Sequence, residues 1–337
     1  MIDKKPKIGV IGAGHLGKHH IKHLAQHNDV EFVGAFDTNA SALRKVCAEL
    51  SVNPVNSIEE LVKNCTAVHI VTPTNTHFEL AKFFLENNLD ILIEKPITET
   101  VKEAESLIEI ADQNKCIIQV GHIERFNPTI NKLKQLISSP HYIEIERLAP
   151  FQARGTEVPV ILDLMVHDID MVLEMVDSPI KNIQASGAKM MSSTIDLAHA
   201  HIQFQNGVVA NLKSSRIAQG YVRKIRTYQK NLYSITDLMI PQIEIYGLKN
   251  SGQFSKKSIS KAVETSEGEK TVFYEKFIPE PKDALLEEIN NLGSRICSII
   301  SSAHIDCVTV HGCGFDTPGH ALLLAIKSPL KPSAEPN

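Results

Sequence analysis

The chain has 337 residues, of which 43% are hydrophobic and 22% charged, the balance of an ordinary soluble globular protein with room for about two domains. The net charge of −4 gives no general electrostatic pull toward nucleic acid or an anionic membrane surface, so neither is expected as a partner. No apolar run reaches membrane-spanning length and residues 1–6 carry no apolar signal core, which predicts a cytoplasmic protein. The six cysteines (Cys47, Cys65, Cys116, Cys297, Cys307, Cys313) contain no C-x-x-C pair and read as reduced thiols.

The first predicted element is a short apolar strand, Ile8-Gly9-Val10-Ile11, followed by Gly12, Gly14 and Gly17 in G-x-G-x-x-G spacing. A helix pattern covers 15–27, and a second apolar strand from Val30 to Phe36 ends in Asp37. Each part has a physical task in binding a dinucleotide. Gly12 permits the tight turn, Gly14 lets a pyrophosphate approach the backbone, and Gly17 lets the helix sit close on the sheet. The helix start, with His15 and Leu16, offers free N–H groups to phosphate. Asp37 can accept hydrogen bonds from the adenosine ribose hydroxyls and would repel a 2′-phosphate, which favours NAD over NADP.

Strands and helices alternate onward. Ser57-Ile58-Glu59-Glu60 has the pattern of a capping box. Ala67 to Val71, Asp90 to Glu94 and Cys116 to Val120 are predicted strands, with helices from Phe78 to Asn87 and Val101 to Asn114 between them. This alternation predicts a Rossmann-type, doubly wound parallel sheet over 1–122. The pattern then changes. A helix starts at Asn127-Pro128, and another covers 160–176. Long alternating strands are predicted at 142–147, 183–190, 198–204, 208–215 and 242–246. They imply a C-terminal α+β domain, residues 123–328, with a large open mixed or antiparallel sheet for substrate binding and oligomerisation. An exposed sheet face calls for a second subunit, so a homodimer or homotetramer is expected. Residues 329–337 read as a flexible tail.

Three constellations carry chemistry. Thr72-Pro73-Thr74-Asn75-Thr76-His77 stands at the carboxyl end of a parallel strand, where ligands bind, although Thr and Asn there are equally natural helix caps. Glu94-Lys95-Pro96 ends the next strand, and the Lys95 ammonium could stabilise a developing alkoxide. Asp163-Leu-Met-Val-His167 puts a carboxylate and an imidazole four residues apart on one helical face, a pairing suited either to a general base or to a surface ion pair. His19, His23 and His27 read as a polar helix surface. The cluster His304, Cys307, His311 and Cys313 has metal-ligand residue types but reads as strand and turn, and no metal is expected.

Taken in order, the glycine loop with its acid, T-P-T-x-x-H, E-K-P and D-x-x-x-H resemble the Gfo/Idh/MocA oxidoreductases. That resemblance implies an NAD-dependent enzyme with Lys95, Asp163 and His167 as the catalytic group. The cofactor would meet Gly12, Gly14, His15, Leu16, Gly17, Asp37, Thr72, Pro73, Asn75, His77, Glu94 and Lys95. Gly121-His-Ile-Glu-Arg-Phe-Asn-Pro128, Phe151-Gln-Ala-Arg-Gly155 and Arg223-Lys-Ile-Arg226 are similar to the family's UDP-N-acetylglucosamine 3-dehydrogenase subgroup, which works toward lipid A. The small-molecule substrate would then be a UDP-sugar, held by His122, Arg125, Asn127, Arg154, Asp163 and His167. Arg125, Arg154, Arg223 and Arg226 are candidates for its diphosphate. Other sugar or inositol dehydrogenases of the family, and a non-catalytic NAD(H)-binding sensor, are the alternatives. The turn His311-Gly-Cys-Gly-Phe-Asp-Thr-Pro-Gly319 departs from the family pattern.

Overall fold

A computed structural model describes residues 5–153, 155–156, 158–248, 259–266, 268–299, 309–312 and 324–327, with side chains described as far as residue 294. The chain divides into two compact units. The first holds the residues up to Phe126 together with a helix that follows Asp283, and the second holds the strands and helices between them.

In the first unit, β1 (Lys7–Ile11), β2 (Glu31–Phe36), β3 (Ala67–Ile70), β4 (Asp90–Glu94) and β5 (Ile118–Gly121) form an all-parallel sheet in the order β2-β1-β3-β4-β5. An isolated parallel bridge from Ala35 to Pro54 extends its β2 edge. The order reverses between β1 and β3, the crevice at which such sheets bind ligands. The strands are apolar almost throughout, because helices cover both faces. Those helices are α1 (His15–Ala25), α2 (Ala40–Leu50), α3 (Ile58–Asn64), α4 (His77–Glu86) and α5 (Val101–Asn114).

Two local expectations need correcting. Ser57 makes no side-chain cap on α3, and Glu60 instead accepts from the Asn56 backbone N–H at 2.9 Å. The reciprocal capping box belongs to Thr100 and Glu103 at the start of α5. The C-terminal helix (Ala284–Ile299) also belongs to the first unit, not to the second domain in which the boundaries 123–328 would place it. Its Ile289 is buried in one core with Ile21, Leu24 and Val30, so apolar burial decides its place.

The second unit is a nine-stranded sheet. Its strands are β6 (Tyr142–Leu148), β7 (Ile180–Ala188), β8 (Leu197–Phe204), β9 (Val209–Ser215), β10 (Val222–Gln229), β11 (Leu232–Asp237), β12 (Gln242–Leu248), β13 (Ile259–Thr265) and β14 (Gly268–Phe277). They run in the order β13-β14-β12-β11-β10-β6-β9-β8-β7. The β6–β9 pair is parallel and the rest antiparallel, so the sheet is mixed. Helices α6 (Pro128–Leu136) and α7 (Val166–Met175) cover one face over a core that includes Ile143, Ile145, Phe204, Leu212 and Ile225. The opposite face carries a row of tyrosines in register across five neighbouring strands: Tyr142, Tyr228, Tyr233, Tyr246 and Tyr274. Neighbouring rings in the row have centroids 4.7–5.9 Å apart. Strands Thr309–Gly312 and Leu324–Lys327 form a separate two-stranded sheet. Among the described residues no helix is long and apolar enough to cross a membrane.

Candidate active site

The glycine loop has the geometry that a pyrophosphate needs. Gly12 has φ +98°, and a Cβ there would lie 2.1 Å from the Val71 carbonyl oxygen. A Cβ at Gly17 would lie 1.9 Å from the carbonyl oxygen of Gly12, so α1 can approach the loop only with glycine at this position. At Gly14 a Cβ would meet nothing within 4 Å, so the backbone there is open to a ligand. Gly14 is also the N-cap of α1 and supplies no side-chain cap, which leaves first-turn N–H groups available to an anion. His15 and Leu16 are exposed in that turn.

Asp37 follows the end of β2, and both of its carboxylate oxygens are engaged by backbone. Its Oδ2 accepts the Ala13 N–H at 2.7 Å and its Oδ1 accepts the Asn39 N–H at 2.7 Å. A carboxylate has about four lone-pair positions, so each oxygen retains capacity for a ribose hydroxyl. Open Gly14, uncapped α1 and half-engaged Asp37 together fit NAD.

The ends of β3 and β4 meet through a histidine. His77 is buried, with Nδ1 2.9 Å from the Pro96 carbonyl oxygen and Nε2 2.9 Å from that of Thr72. It therefore ties the T-P-T turn to the Lys95–Pro96 turn, whose peptide is cis. Both ring nitrogens of His77 thus face backbone carbonyls. Thr76 makes no side-chain cap on α4, and its hydroxyl bonds Thr72 Oγ1 and the Pro73 carbonyl, each at 2.7 Å. Capping thus does not account for these threonines. Asn75 is exposed, and Glu94 Oε2 accepts the Lys95 N–H at 3.3 Å.

Sequence comparison decides the relationship. Residues 6–122 match the model of the oxidoreductase family with NAD-binding Rossmann fold (Gfo/Idh/MocA), and residues 148–251 match its C-terminal domain. The chain belongs to the Gfo/Idh/MocA oxidoreductases. It is 37% identical over 241 residues to UDP-N-acetylglucosamine 3-dehydrogenase of Acidithiobacillus ferrooxidans, covering 71% of this chain and 76% of that one. Myo-inositol 2-dehydrogenase of Thermotoga maritima is 26% identical over 241 residues, covering 66% and 72%. A solved structure of the Acidithiobacillus ferrooxidans enzyme superposes with a TM-score of 0.77 at 33% identity, covering 90% of this chain and 92% of that one. Like these Gfo/Idh/MocA relatives, the protein is an NAD-dependent dehydrogenase.

In the second unit, this Gfo/Idh/MocA chain carries Asp163 on a π-helical turn (Ile161–Met165) and His167 in the first turn of α7. A π turn holds more residues than an α turn, so residues four apart fall just short of one turn and still share a side of the helix. Asp163 and His167 are half-buried, while Met165, Val166, Asp168, Ile169 and Asp170 are buried around them. Below them, the Arg147 Nε–H donates to Asp168 Oδ1 at 2.8 Å in a fully enclosed ion pair that joins β6 to α7.

Other expected substrate residues are placed differently. Asn127 is the N-cap of α6, accepting the Thr129 N–H at 2.9 Å. His122 is buried directly after β5, and Arg125 sits half-buried in the 3-10 turn that follows. Arg223 and Arg226 lie on β10, where residues an odd number apart point to opposite faces, so one diphosphate cannot take both. Arg226 is paired in register with Glu144. Arg154, His304, Cys307 and Cys313 lie outside the described residues, and of His311 only the strand backbone is described.

Sequence reasoning missed a buried polar cluster beneath Glu94. His20 and His69 are fully buried, as is Glu288 of the C-terminal helix. The signals were a histidine in the Gly17, Ile21, Leu24 stripe of α1 and another in the apolar strand Ala67 to Ile70.

Proposed function

We propose that the protein oxidises a secondary hydroxyl of a nucleotide sugar with NAD, the substrate being UDP-N-acetylglucosamine and the product its 3-ketone, a precursor for transamination on the way to lipid A. The observation that carries this reading is the 37% identity over 241 residues to UDP-N-acetylglucosamine 3-dehydrogenase of Acidithiobacillus ferrooxidans. Lys95, Asp163 and His167 stand in this chain at the motif positions that the reading requires.

NAD supplies the hydride acceptor. His167 accepts the hydroxyl proton, since a neutral imidazole is the natural base near pH 7. Asp163 holds the ring in orientation. The Lys95 ammonium donates a hydrogen bond to the same oxygen and stabilises the alkoxide as it develops. The glycine loop holds the pyrophosphate and Asp37 the adenosine ribose. Thr72, Pro73 and Glu94, at the ends of β3 and β4, would meet the nicotinamide half. Arg125 and Arg154 are the guanidinium groups assigned to the diphosphate.

The test is NADH formation on mixing enzyme and NAD with UDP-N-acetylglucosamine, free N-acetylglucosamine and myo-inositol. Turnover of the UDP-sugar alone, with UDP as a competitor, supports the proposal. Equal turnover of free sugar or inositol replaces the substrate and leaves an enzyme of the same family. No NADH with any polyol favours a cofactor-binding sensor.

A further inference from the structure

Four elements of the first unit converge on the Glu94 carboxyl group. From α1, His20 Nε2 lies 3.2 Å from Glu94 Oε1, and the other ring nitrogen of His20, Nδ1, lies 3.1 Å from Nδ1 of His69 on β3. From β5, Gly121 stands opposite Glu94 in register, and a Cβ there would lie 3.1 Å from the carboxyl carbon and from each of its oxygens. From the C-terminal helix comes Glu288, fully buried beside it.

Proton positions follow from the donors available. An ionised carboxylate only accepts, so His20 carries a proton on Nε2. With that proton on Nε2, His20 can accept at Nδ1 from the His69 Nδ1–H, which leaves His69 Nε2 as a lone pair. No hydrogen-bond partner for that atom exists among the described residues. A buried lone pair without a partner costs less than a buried N–H without one, so this tautomer pair is preferred. Burial holds the His69 imidazole well below its ordinary range, so it stays neutral. Neither carboxyl oxygen of Glu288 has a partner among the described residues. Burial, then the Glu94 charge, pushes that acid well above the usual carboxylate range, which favours its neutral form. Of the His20–Glu94 pair, Glu94 is the member nearer solvent.

We propose that the His69–His20 pair fixes a carboxylate charge on Glu94 at the nicotinamide end of the dinucleotide site, and that this charge sets the preference between the two redox forms of the cofactor. The oxidised ring is a cation and the reduced ring is neutral, so a fixed anion tightens NAD relative to NADH. His20 is a positioning residue here: it acts through Glu94. The proposal rests on the reading above that the nicotinamide half lies over the ends of β3 and β4.

The experiment is calorimetric titration of the full chain with NAD and, separately, with NADH. Glu94→Gln should shift the ratio of the two dissociation constants roughly tenfold toward NADH, the scale of one unit charge in a partly screened site. His20→Leu should shift it the same way by less, and His20→Gln, which restores an N–H donor, should recover it. Glu288→Gln replaces a neutral acid by a neutral amide and should leave the ratio within twofold. An unchanged ratio in Glu94→Gln, or an equal shift in Glu288→Gln, overturns the proposal while leaving the cofactor reading intact. Failure of the unmodified chain to bind either form overturns both. If His20→Leu does not fold, the two glutamate variants decide.

Discussion

The Asp37 carboxylate accepts the backbone N–H of Ala13 at 2.7 Å, so the acid expected to meet the ribose also closes the loop expected to meet the pyrophosphate. Asp37→Ala should therefore lower kcat/KM for NAD by more than one ribose contact is worth, about tenfold to a hundredfold. Asp37→Asn should also lose the hydrogen bond to Ala13 if the amide turns its NH2 toward the loop. Comparison of kcat/KM for NAD and NADP checks the assignment, and an unmodified enzyme that prefers NADP would refute it.

Catalysis provides a sharper test. His167→Ala should cut kcat roughly 10²–10⁴-fold with NAD affinity nearly intact, the range for one positioned acid–base group. Asp163→Asn should cost less, because the base survives. Lys95→Ala should cost about as much as His167→Ala, and the double variant should lose less than the product of the two, since both groups serve one proton transfer. A His167→Ala enzyme within about threefold of the original rate, with chemistry limiting, would leave Lys95 as the base.

The tyrosine row bears on assembly. Five rings in register on the face opposite α6 and α7 form a partly apolar surface suited to a second copy of the chain. Light scattering of dilute enzyme should show a dimer or tetramer, and Tyr233→Arg with Tyr246→Arg should shift it toward monomer. A clean monomer at micromolar concentration in the unmodified protein would sink the idea.

Buried titratable groups make stability depend on pH in opposite senses. Glu288 is raised in the folded state, so its contribution is full below the unfolded value near 4.5 and is lost as pH rises toward the folded value. His69 is lowered, so its contribution is full above the unfolded value of 6.5 and is lost as pH falls below it. The gain in Tm of Glu288→Gln over the unmodified chain should therefore be larger at pH 8 than at pH 5. An equal gain at both would mean that Glu288 is not a buried neutral acid.

The ion pair under His167 should be costly to break. Arg147 and Asp168 are enclosed, so Asp168→Ala leaves a buried guanidinium without its carboxylate and should cost about 3–5 kcal/mol in urea unfolding. A loss under 1 kcal/mol would show that water reaches the pair.

Much of the first unit could be read from the sequence because its requirements fall on residue identity. Only glycine fits at Gly12 and Gly17, where a side chain would collide with backbone carbonyls, and the parallel strands are apolar almost throughout. The second unit was less legible. Residues 222–229 and 232–237 are adjacent strands of a hairpin whose two-residue turn, Lys230 and Asn231, has Asn231 at φ +62°. The same residues, dense in Arg and Lys, read more readily as a ligand-binding segment, because polar and apolar positions alternate weakly there. The buried cluster was hidden for another reason. Nothing local to Glu288 says which sheet its helix will cover, since that depends on contacts across more than half the chain.

The helix that carries Glu288 sets an order of events during synthesis. Its Ile289 fills the core around Ile21 and Leu24, and its Asn290 Oδ1 lies 2.6 Å from His27 Nε2. The nascent N-terminal unit thus emerges from the ribosome with an apolar groove that stays open until residues near 290 follow, roughly ten to thirty-five seconds later at ordinary elongation rates. A chain cut before Asp283 would keep the groove open for good.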